Sequence, residues 1–233
     1  PELSRALLMY RFRRLPEARH LARSAGYAGA MFPWQSGSDG REESQVIHLN
    51  PRSGRWIPDD TYRQRHVSAA IAYNVWQYYQ ASDDMEFLSF YGAEMVLAIA
   101  RFWASIATYN AKRDRYEIHG VVGPDEFHTG YPDSDAPGLN NNAYTNVMAS
   151  WVLKCAEEIL RRVGDDRRAH LRRSLKIADD ELLAWDEVSR KMFVPFHDGE
   201  IISQFEGYEK LEELDWESYR RKYGDVGRLD RIL

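Results

Sequence analysis

The chain has 233 residues, of which 44% are hydrophobic and 13% aromatic, and its formal net charge at pH 7 is −5. A single hydrophobic core can grow to roughly 250 residues before chains divide, so we expect one domain, and the apolar content excludes a disordered chain. The mild acidity argues against a nucleic-acid-binding protein, which would carry a basic surface. No run approaches the ~18 consecutive apolar residues of a membrane span, so we expect no membrane partner.

The first half of the chain alternates helical and irregular segments. Apolar residues at helical spacing predict two helices before Gly26, which lies where the second should end. Residues 27–60 lose this periodicity, are rich in Gly, Ser, Pro and Asp, and predict a long loop. Helical spacing resumes at Thr61 and again at Asp83, which begins a strongly apolar helix.

The second half is predicted to hold the remaining helices and the strands. A break from about Tyr109 leads to Asn142, which is placed to cap the next helix. One further helix is expected from about Asp165 to Trp185, and Asp198-Gly199 is a pair preferred in tight hairpins. The sequence therefore predicts a mostly α chain of about six helices with one or two short β-hairpins.

Several kinds of site are excluded by motifs that the sequence lacks. Cys155 is the only cysteine, so neither an intramolecular disulfide nor a thiolate zinc site can form, which favours a cytoplasmic protein. The sequence contains no Gly-x-Gly-x-x-Gly, no phosphate-binding Gly-Lys-Ser/Thr and no His-Glu-x-x-His. We therefore expect no metal and no resident cofactor.

The segment Gly120-Val-Val-Gly-Pro-Asp-Glu-Phe-His128 is the strongest candidate for chemistry. Two carboxylates, Asp125 and Glu126, follow a Gly-Pro turn that restricts the backbone. Glycosyl transfer needs a carboxylic acid that protonates the leaving oxygen, and apolar surface with acidic neighbours raises the pKa of such an acid. From the residues alone, an Asp-Glu pair in a surface turn is the alternative interpretation.

Aromatic residues in or beside loops accompany this segment. The faces of sugar rings could pack on them, although aromatic side chains also serve in protein cores. They are Trp34, Trp56, Tyr62, Phe127, Tyr131 and Tyr144.

Motifs along almost the whole chain resemble one family. The acid segment is followed by Asn140-Asn-Asn-Ala-Tyr-Thr-Asn146, and the two together resemble the general-acid region of glycoside hydrolase family 65. Three further segments resemble the same family: Gly26-Tyr-Ala-Gly-Ala-Met-Phe-Pro-Trp34 with Gly40 and Glu42, His66-Val-Ser-Ala-Ala-Ile-Ala-Tyr73, and Gln204-Phe-Glu-Gly-Tyr208. Because these segments occur in the family's order, the resemblance is specific.

The resemblance implies a fold and a set of site residues. The fold is an (α/α)6 toroid with the active site in loops at one end, and residues 1–233 would belong to this single catalytic domain. Glu126 lies at the position of the family's catalytic acid. Substrate-binding residues are expected to be Asp125, His128, Trp34, Glu42, Arg65, His66 and Asn142.

The resemblance also implies a reaction. We expect an inverting phosphorylase that splits an α-linked glucose disaccharide (maltose, trehalose, kojibiose or a phosphorylated relative) to give β-glucose 1-phosphate. Inorganic phosphate is then a co-substrate. A homodimer is common in the family, but the sequence leaves the oligomeric state of this chain open. Phosphate is already anionic, so one acid suffices, whereas water would need a second carboxylate as base. Two alternatives stay open: a trehalase-type hydrolase of the same family and a non-catalytic sugar-binding relic.

The residues that would decide between these alternatives are expected outside this chain. The family's Trp-Asp/Glu pair for the glucosyl unit should precede Pro1, and its Lys-Gln pair with the phosphate-binding loop should follow Leu233. We therefore expect residues 1–233 to be roughly half of a toroid. Such a part would expose apolar stripes at its open ends, such as the stripe through Leu88, Met95 and Phe102.

Overall fold

The computed structural model describes residues 2–125 and 128–233. The helices in these ranges are α1 (Glu2–Arg13), α2 (Leu15–Ser24), α3 (His66–Ser82), α4 (Met85–Ile106), α5 (Ala143–Arg162), α6 (Asp165–Leu175), α7 (Asp179–Lys191) and α8 (Trp216–Tyr223). The strands are β1 (Ile47–Asn50), β2 (Arg55–Pro58), β3 (Thr108–Asn110), β4 (Arg115–Glu117), β5 (Phe196–His197) and β6 (Ile201–Ile202). The predicted class, mostly α with short hairpins, is confirmed.

Helix α4 forms the centre of the hydrophobic core. Its side chains pack against α3, α5 and α7, and Leu88, Met95 and Phe102 are each 0% exposed. Burying a large apolar side chain stabilises the fold by about 1.5–3 kcal/mol, so this helix contributes strongly to stability. The expectation that this stripe would be exposed is therefore wrong. Exposed apolar side chains lie instead on α1, where Leu3 and Leu7 are 83% and 70% exposed.

By length and composition alone, α4 could also cross a membrane. However, 67% of its apolar window is buried inside the protein. A helix packed on several sides by its neighbours is apolar over most of its circumference, which accounts for this composition.

The strand content exceeds the prediction of one or two hairpins. Within the described ranges, β1 pairs with β2, β3 with β4 and β5 with β6, all antiparallel. The β5–β6 hairpin turns at Asp198 and Gly199, both with positive φ, as predicted. The hairpin β1–β2 lies inside residues 27–60, predicted as a long loop. Strands this short show too few alternations to be separated from loop sequence.

The single helix predicted from Asp165 to Trp185 is two helices. Lys176 adopts a left-handed conformation with φ 53°, which ends α6. The backbone N–H of Ile177 then donates to the carbonyl of Arg172 at 2.9 Å, as in a helix C-terminal cap. The apolar spacing continues across this cap, so periodicity alone did not reveal the break.

A long connection between β4 and α5, called here the 118–142 loop, carries the acid segment. Its two arms pair through bridges between Val121 and Leu139 and between Gly130 and Pro137. Gly138 has φ 91°, and a Cβ there would lie 2.4 Å from the carbonyl carbon of Gly120. Only glycine permits this conformation and this approach, so the sequence itself specifies how the arms meet.

Candidate active site

The structure describes residues 120–125 and 128 of the acid segment. Glu126, the predicted catalytic acid, and Phe127 lie outside the described residues. The side chain of Asp125 is 63% exposed, whereas that of His128 is 11% exposed. Asp125 Oδ2 lies 4.0 Å from His128 Nδ1. A carboxylate and an imidazole therefore flank residues 126 and 127, one facing solvent and the other packed inward.

His128 is held in an apolar position. Its ring meets the ring of Phe205 edge-on, with 5.1 Å between centroids. Burial lowers the pKa of His128, although the charge of Asp125 acts in the opposite direction. Its Nδ1 is buried with no hydrogen-bond partner among the described residues. The imidazole thus stays neutral near pH 7 and keeps one nitrogen free for a ligand or a water molecule.

His66, the first residue of α3, lies between two aromatic rings. The ring centroids of Trp34 and Tyr144 are 5.5 Å and 5.7 Å from that of His66. His66 is only 7% exposed, and its Nδ1 has no partner within the described part of the chain. Burial lowers the pKa of His66, and the charge of Asp125 opposes this shift. An unpaired buried nitrogen beside two aromatic rings suits a sugar hydroxyl.

Arg65 directly precedes His66 in the chain, and its guanidinium makes contacts within its own turn. Its guanidinium donates to the carbonyl of Tyr62 at 2.9 Å and lies 5.7 Å from the centroid of the Tyr62 ring. Burial lowers the pKa of Arg65, but arginine stays charged at any physiological pH. Arg65 therefore places one positive charge near the N-terminus of α3.

Two predicted substrate-binding residues, Glu42 and Asn142, make hydrogen bonds within the protein. The carboxylate of Glu42 accepts from the backbone N–H groups of Trp34, Gln35 and Ser44 and from the Ser44 hydroxyl. Asn142 Oδ1 accepts from the N–H of Thr145, which confirms Asn142 as the cap of α5. Substrate contact by Glu42 or Asn142 stays a prediction.

A cavity of about 480 Å³ lies next to Trp34 and Asp125. The hairpin β1–β2, the 118–142 loop and the last residues of the chain form its walls. Its lining comprises Trp34, His48, Ile57, Pro58, Asp59, Asp60, Thr61, Gln64, Val122, Pro124, Asp125, Thr129, Asp230 and Leu233. The described lining thus contains four aspartates and no lysine or arginine.

These aspartates differ in how far they are neutralised. Asp60 lies 3.8 Å from the guanidinium of Arg63, and Asp230 lies 2.6 Å from that of Arg228. Asp59 accepts from the backbone of Thr61 at 3.0 Å and from Gln45 at 2.7 Å. Burial raises the pKa of Asp59, but these hydrogen bonds outweigh it, and the net pKa lies below its ordinary value. The cavity therefore carries net negative charge.

Sequence reasoning missed the hairpin side of this cavity. His48, Ile57 and Asp59 lie in the segment predicted as loop, and no motif marked them as site residues. The sequence signal that could have revealed them is a weak alternation of apolar and polar residues on either side of Gly54. This glycine has φ 68° and lies at the hairpin turn. Of the predicted site residues, in contrast, Trp34 and Asp125 line one cavity, the ring of Trp34 contacts that of His66, and Asp125 lies 4.0 Å from His128.

Comparison with known proteins decides the family. The model of the glycosyl hydrolase family 65 central catalytic domain matches residues 1–232. The chain belongs to glycosyl hydrolase family 65. As a family 65 chain it is 57% identical, over its whole length, to an uncharacterized glycosyl hydrolase of Mycobacterium tuberculosis, of which it covers 18%. It is 39% identical, again over its whole length, to the trehalose 6-phosphate phosphorylase of Lactococcus lactis, of which it covers 29%.

A solved structure supports the same fold. A protein from the human microbiome assigned as a kojibiose phosphorylase matches 98% of this family 65 chain with a TM-score of 0.75 and 24% identity, and the match covers 28% of that protein. The pairwise packing of helices around α4 is consistent with part of an α/α toroid. The chain spans less than a third of each of these relatives. That residues 1–233 lie within one toroid domain stays a prediction.

Proposed function

We propose that this chain carries the general-acid part of an inverting disaccharide phosphorylase, with Glu126 as the acid. One observation carries the proposal: Pro124 and Asp125, which directly precede Glu126 in the sequence, line a sugar-sized cavity in a chain that the family model matches from residue 1 to 232. The 39% identity to a trehalose 6-phosphate phosphorylase supports phosphorolysis over hydrolysis.

The proposed reaction needs one proton donor and one nucleophile. Glu126 transfers its proton to the glycosidic oxygen while that oxygen leaves C1 of the glucosyl unit. A phosphate oxygen forms its bond to C1 from the opposite face, which inverts the anomeric centre. The products are a sugar with a new hydroxyl and β-glucose 1-phosphate. Trp34, Tyr144 and His66 would offer ring faces and one hydrogen-bonding nitrogen to the sugar.

The charge of the cavity favours an uncharged sugar over a phosphorylated one. Asp59 and Asp125 lie in its wall without a lysine or arginine partner among the described salt bridges. Two negative charges about 4 Å apart repel by roughly 4 kcal/mol at the effective dielectric of a protein surface, before salt screening. We therefore propose a neutral α-linked glucose disaccharide as the substrate.

The deciding experiment uses the full-length protein. It is incubated with maltose, trehalose, trehalose 6-phosphate, kojibiose and nigerose, with and without inorganic phosphate, and glucose 1-phosphate and glucose are measured. Glucose 1-phosphate that forms only with phosphate supports the proposal. Glucose release without phosphate would establish the trehalase-type hydrolase, and sugar binding without turnover would establish the non-catalytic alternative.

A further inference from the structure

The 204–208 segment, Gln204-Phe-Glu-Gly-Tyr208, packs against the 118–142 loop. Phe205 is 3% exposed, and its ring meets the rings of His128 and Tyr131 edge-on at 5.1 Å and 5.9 Å. The carbonyl of Gln204 accepts from the N–H of Ala143 at 2.9 Å. The segment therefore touches the loop at its middle and at its end.

The hydroxyl of Tyr131 joins the segment to the loop. It donates to the carbonyl of Glu206 at 2.8 Å and accepts from the N–H of Asn140 at 3.1 Å. The N–H of Glu206 in turn donates to the carbonyl of Asn140 at 3.1 Å. The two hydrogen bonds of the Tyr131 hydroxyl, together with the backbone bond between Glu206 and Asn140, thus fix Tyr131 relative to the arm of the loop that contains Asn140. Tyr131 lies three residues after His128.

The carboxylate of Glu206 also fixes the base of the loop. Its Oε2 accepts from Asn141 Nδ2 at 2.7 Å, and its Oε1 accepts from the guanidinium of Arg113. Asn141 is 0% exposed and has φ 50°, a conformation uncommon outside glycine. Its Oδ1 accepts from the N–H of Ile118 at 3.2 Å, and its own N–H donates to the carbonyl of Ile118 at 2.8 Å.

These contacts make Asn141 the closing residue of the loop and Glu206 the charged group that orients its amide nitrogen. An amide side chain can present its oxygen or its nitrogen in either direction. With the Glu206 carboxylate on its nitrogen, Asn141 turns its oxygen to the N–H of Ile118. Nδ2 of Asn146 donates to the same oxygen at 3.1 Å and supports this orientation. Glu206 therefore acts on the acid segment in two ways: its carboxylate holds Asn141 at the base, and its backbone carbonyl holds Tyr131 in the arm.

We propose that Glu206 and Tyr131 are positioning residues that set the backbone on either side of the acid segment. The proposal rests on the proposed function, because it concerns the placement of Glu126. An acid must lie within hydrogen-bond reach of the leaving oxygen, and a displacement of ~1 Å can cost ~10²-fold in rate. Neither residue touches the reacting atoms in this scheme.

The test compares Glu206→Gln and Tyr131→Phe with wild type in the full-length enzyme. Both variants keep the shape of the side chain, so we expect them to fold. Removing the hydroxyl of Tyr131 should lower kcat ~3- to 10-fold, the effect of a typical hydrogen bond, and Glu206→Gln should lower it ~10- to 100-fold. KM should change little. The alkaline limb of the pH profile should shift, since the surroundings of the acid change.

Matched controls separate position from charge and from general stability. Glu209→Gln is the control for Glu206→Gln: it also removes one negative charge, but from an exposed side chain whose effect on Tyr131 is electrostatic only. Tyr219→Phe is the control for Tyr131→Phe, because it removes a hydroxyl from α8, which takes no part in this network. Both should retain the wild-type kcat. Hydrogen exchange at Ile118 and Asn141 should speed up in Tyr131→Phe and Glu206→Gln and stay unchanged in the controls.

The outcomes distinguish this proposal from the proposed function. If Glu126→Gln is inactive but Tyr131→Phe and Glu206→Gln keep the wild-type kcat and pH profile, the positioning role is wrong and the acid assignment stands. If Glu206→Gln lowers the melting temperature but leaves kcat per folded enzyme unchanged, Glu206 has a structural role only. If Glu126→Gln is active, the proposed function itself fails.

Discussion

Glu42 holds Trp34 in place: the backbone N–H of Trp34 donates to Glu42 Oε2 at 3.1 Å across eight residues of loop. The same carboxylate accepts three further hydrogen bonds, from the backbone N–H groups of Gln35 and Ser44 and from the Ser44 hydroxyl. Glu42 therefore organises the loop that brings Trp34 against His66.

Replacing Glu42 with alanine should loosen this loop. We expect a loss of about 1–3 kcal/mol in the free energy of unfolding, because the N–H groups of Trp34 and Gln35 lose a charged acceptor. KM for the disaccharide should rise, since Trp34 is no longer fixed. Denaturant unfolding and steady-state kinetics of the full-length enzyme measure the two effects. Glu43→Ala, one residue further along, is the control, and equal losses in the two variants would refute this role.

Glu126→Gln should abolish most of the activity while the fold persists. Losing a general acid typically costs ~10²- to 10⁴-fold in rate. The alkaline limb of the wild-type pH–rate profile should vanish with it, because that limb reports deprotonation of the acid. Asp125→Asn should lower the rate less, since its side chain is largely exposed. A drop below roughly tenfold in Glu126→Gln would remove this residue from the role of acid.

Acidification should destabilise the protein partly through His66. Its pKa is lowered by burial, so the unfolded chain takes up a proton at a higher pH than the folded protein does. Stability is therefore complete above the unfolded pKa of about 6.5 and is lost as pH falls towards the folded pKa. Between about pH 7.5 and pH 5.5, the melting temperature of wild type should fall further than that of His66→Gln. Parallel falls in the two proteins would show that His66 does not titrate in this range.

Phosphorylated sugars should be poor substrates. The aspartates around the cavity repel a second phosphate, so kcat/KM for trehalose should exceed that for trehalose 6-phosphate by roughly tenfold or more, which corresponds to ~1.4 kcal/mol. The preference should shrink in Asp59→Asn, which removes a buried charge but keeps the shape. A higher kcat/KM for trehalose 6-phosphate would contradict the electrostatic argument.

The helices could be predicted because apolar periodicity is a local property. The start of α5 follows from the cap at Asn142, and the acid segment follows from a motif of adjacent residues. Helix α3 begins at His66, later than the predicted Thr61, because Thr61–Arg63 form a separate 3-10 turn. Contacts between distant segments could not be predicted in this way. The unpaired Nδ1 of His66, the four bonds to Glu42 and the aspartates of the cavity all depend on long-range packing that no spacing along the chain encodes.

Hairpin β1–β2 and the end of the chain act as one wall. The backbone N–H of Arg52, at the hairpin tip, donates to the carbonyl of Arg231 at 3.0 Å, and its guanidinium donates to the carbonyls of Tyr223 and Asp225. All three acceptors are backbone carbonyls and two of the donors belong to the Arg52 side chain, so the wall depends on Arg52 and on the backbone path of residues 223–231. An engineer who wishes to exchange substrate preference between relatives should therefore transplant residues 45–61 and 223–233 together. Either segment grafted alone would risk losing the hydrogen bonds between Arg52 and residues 223–231.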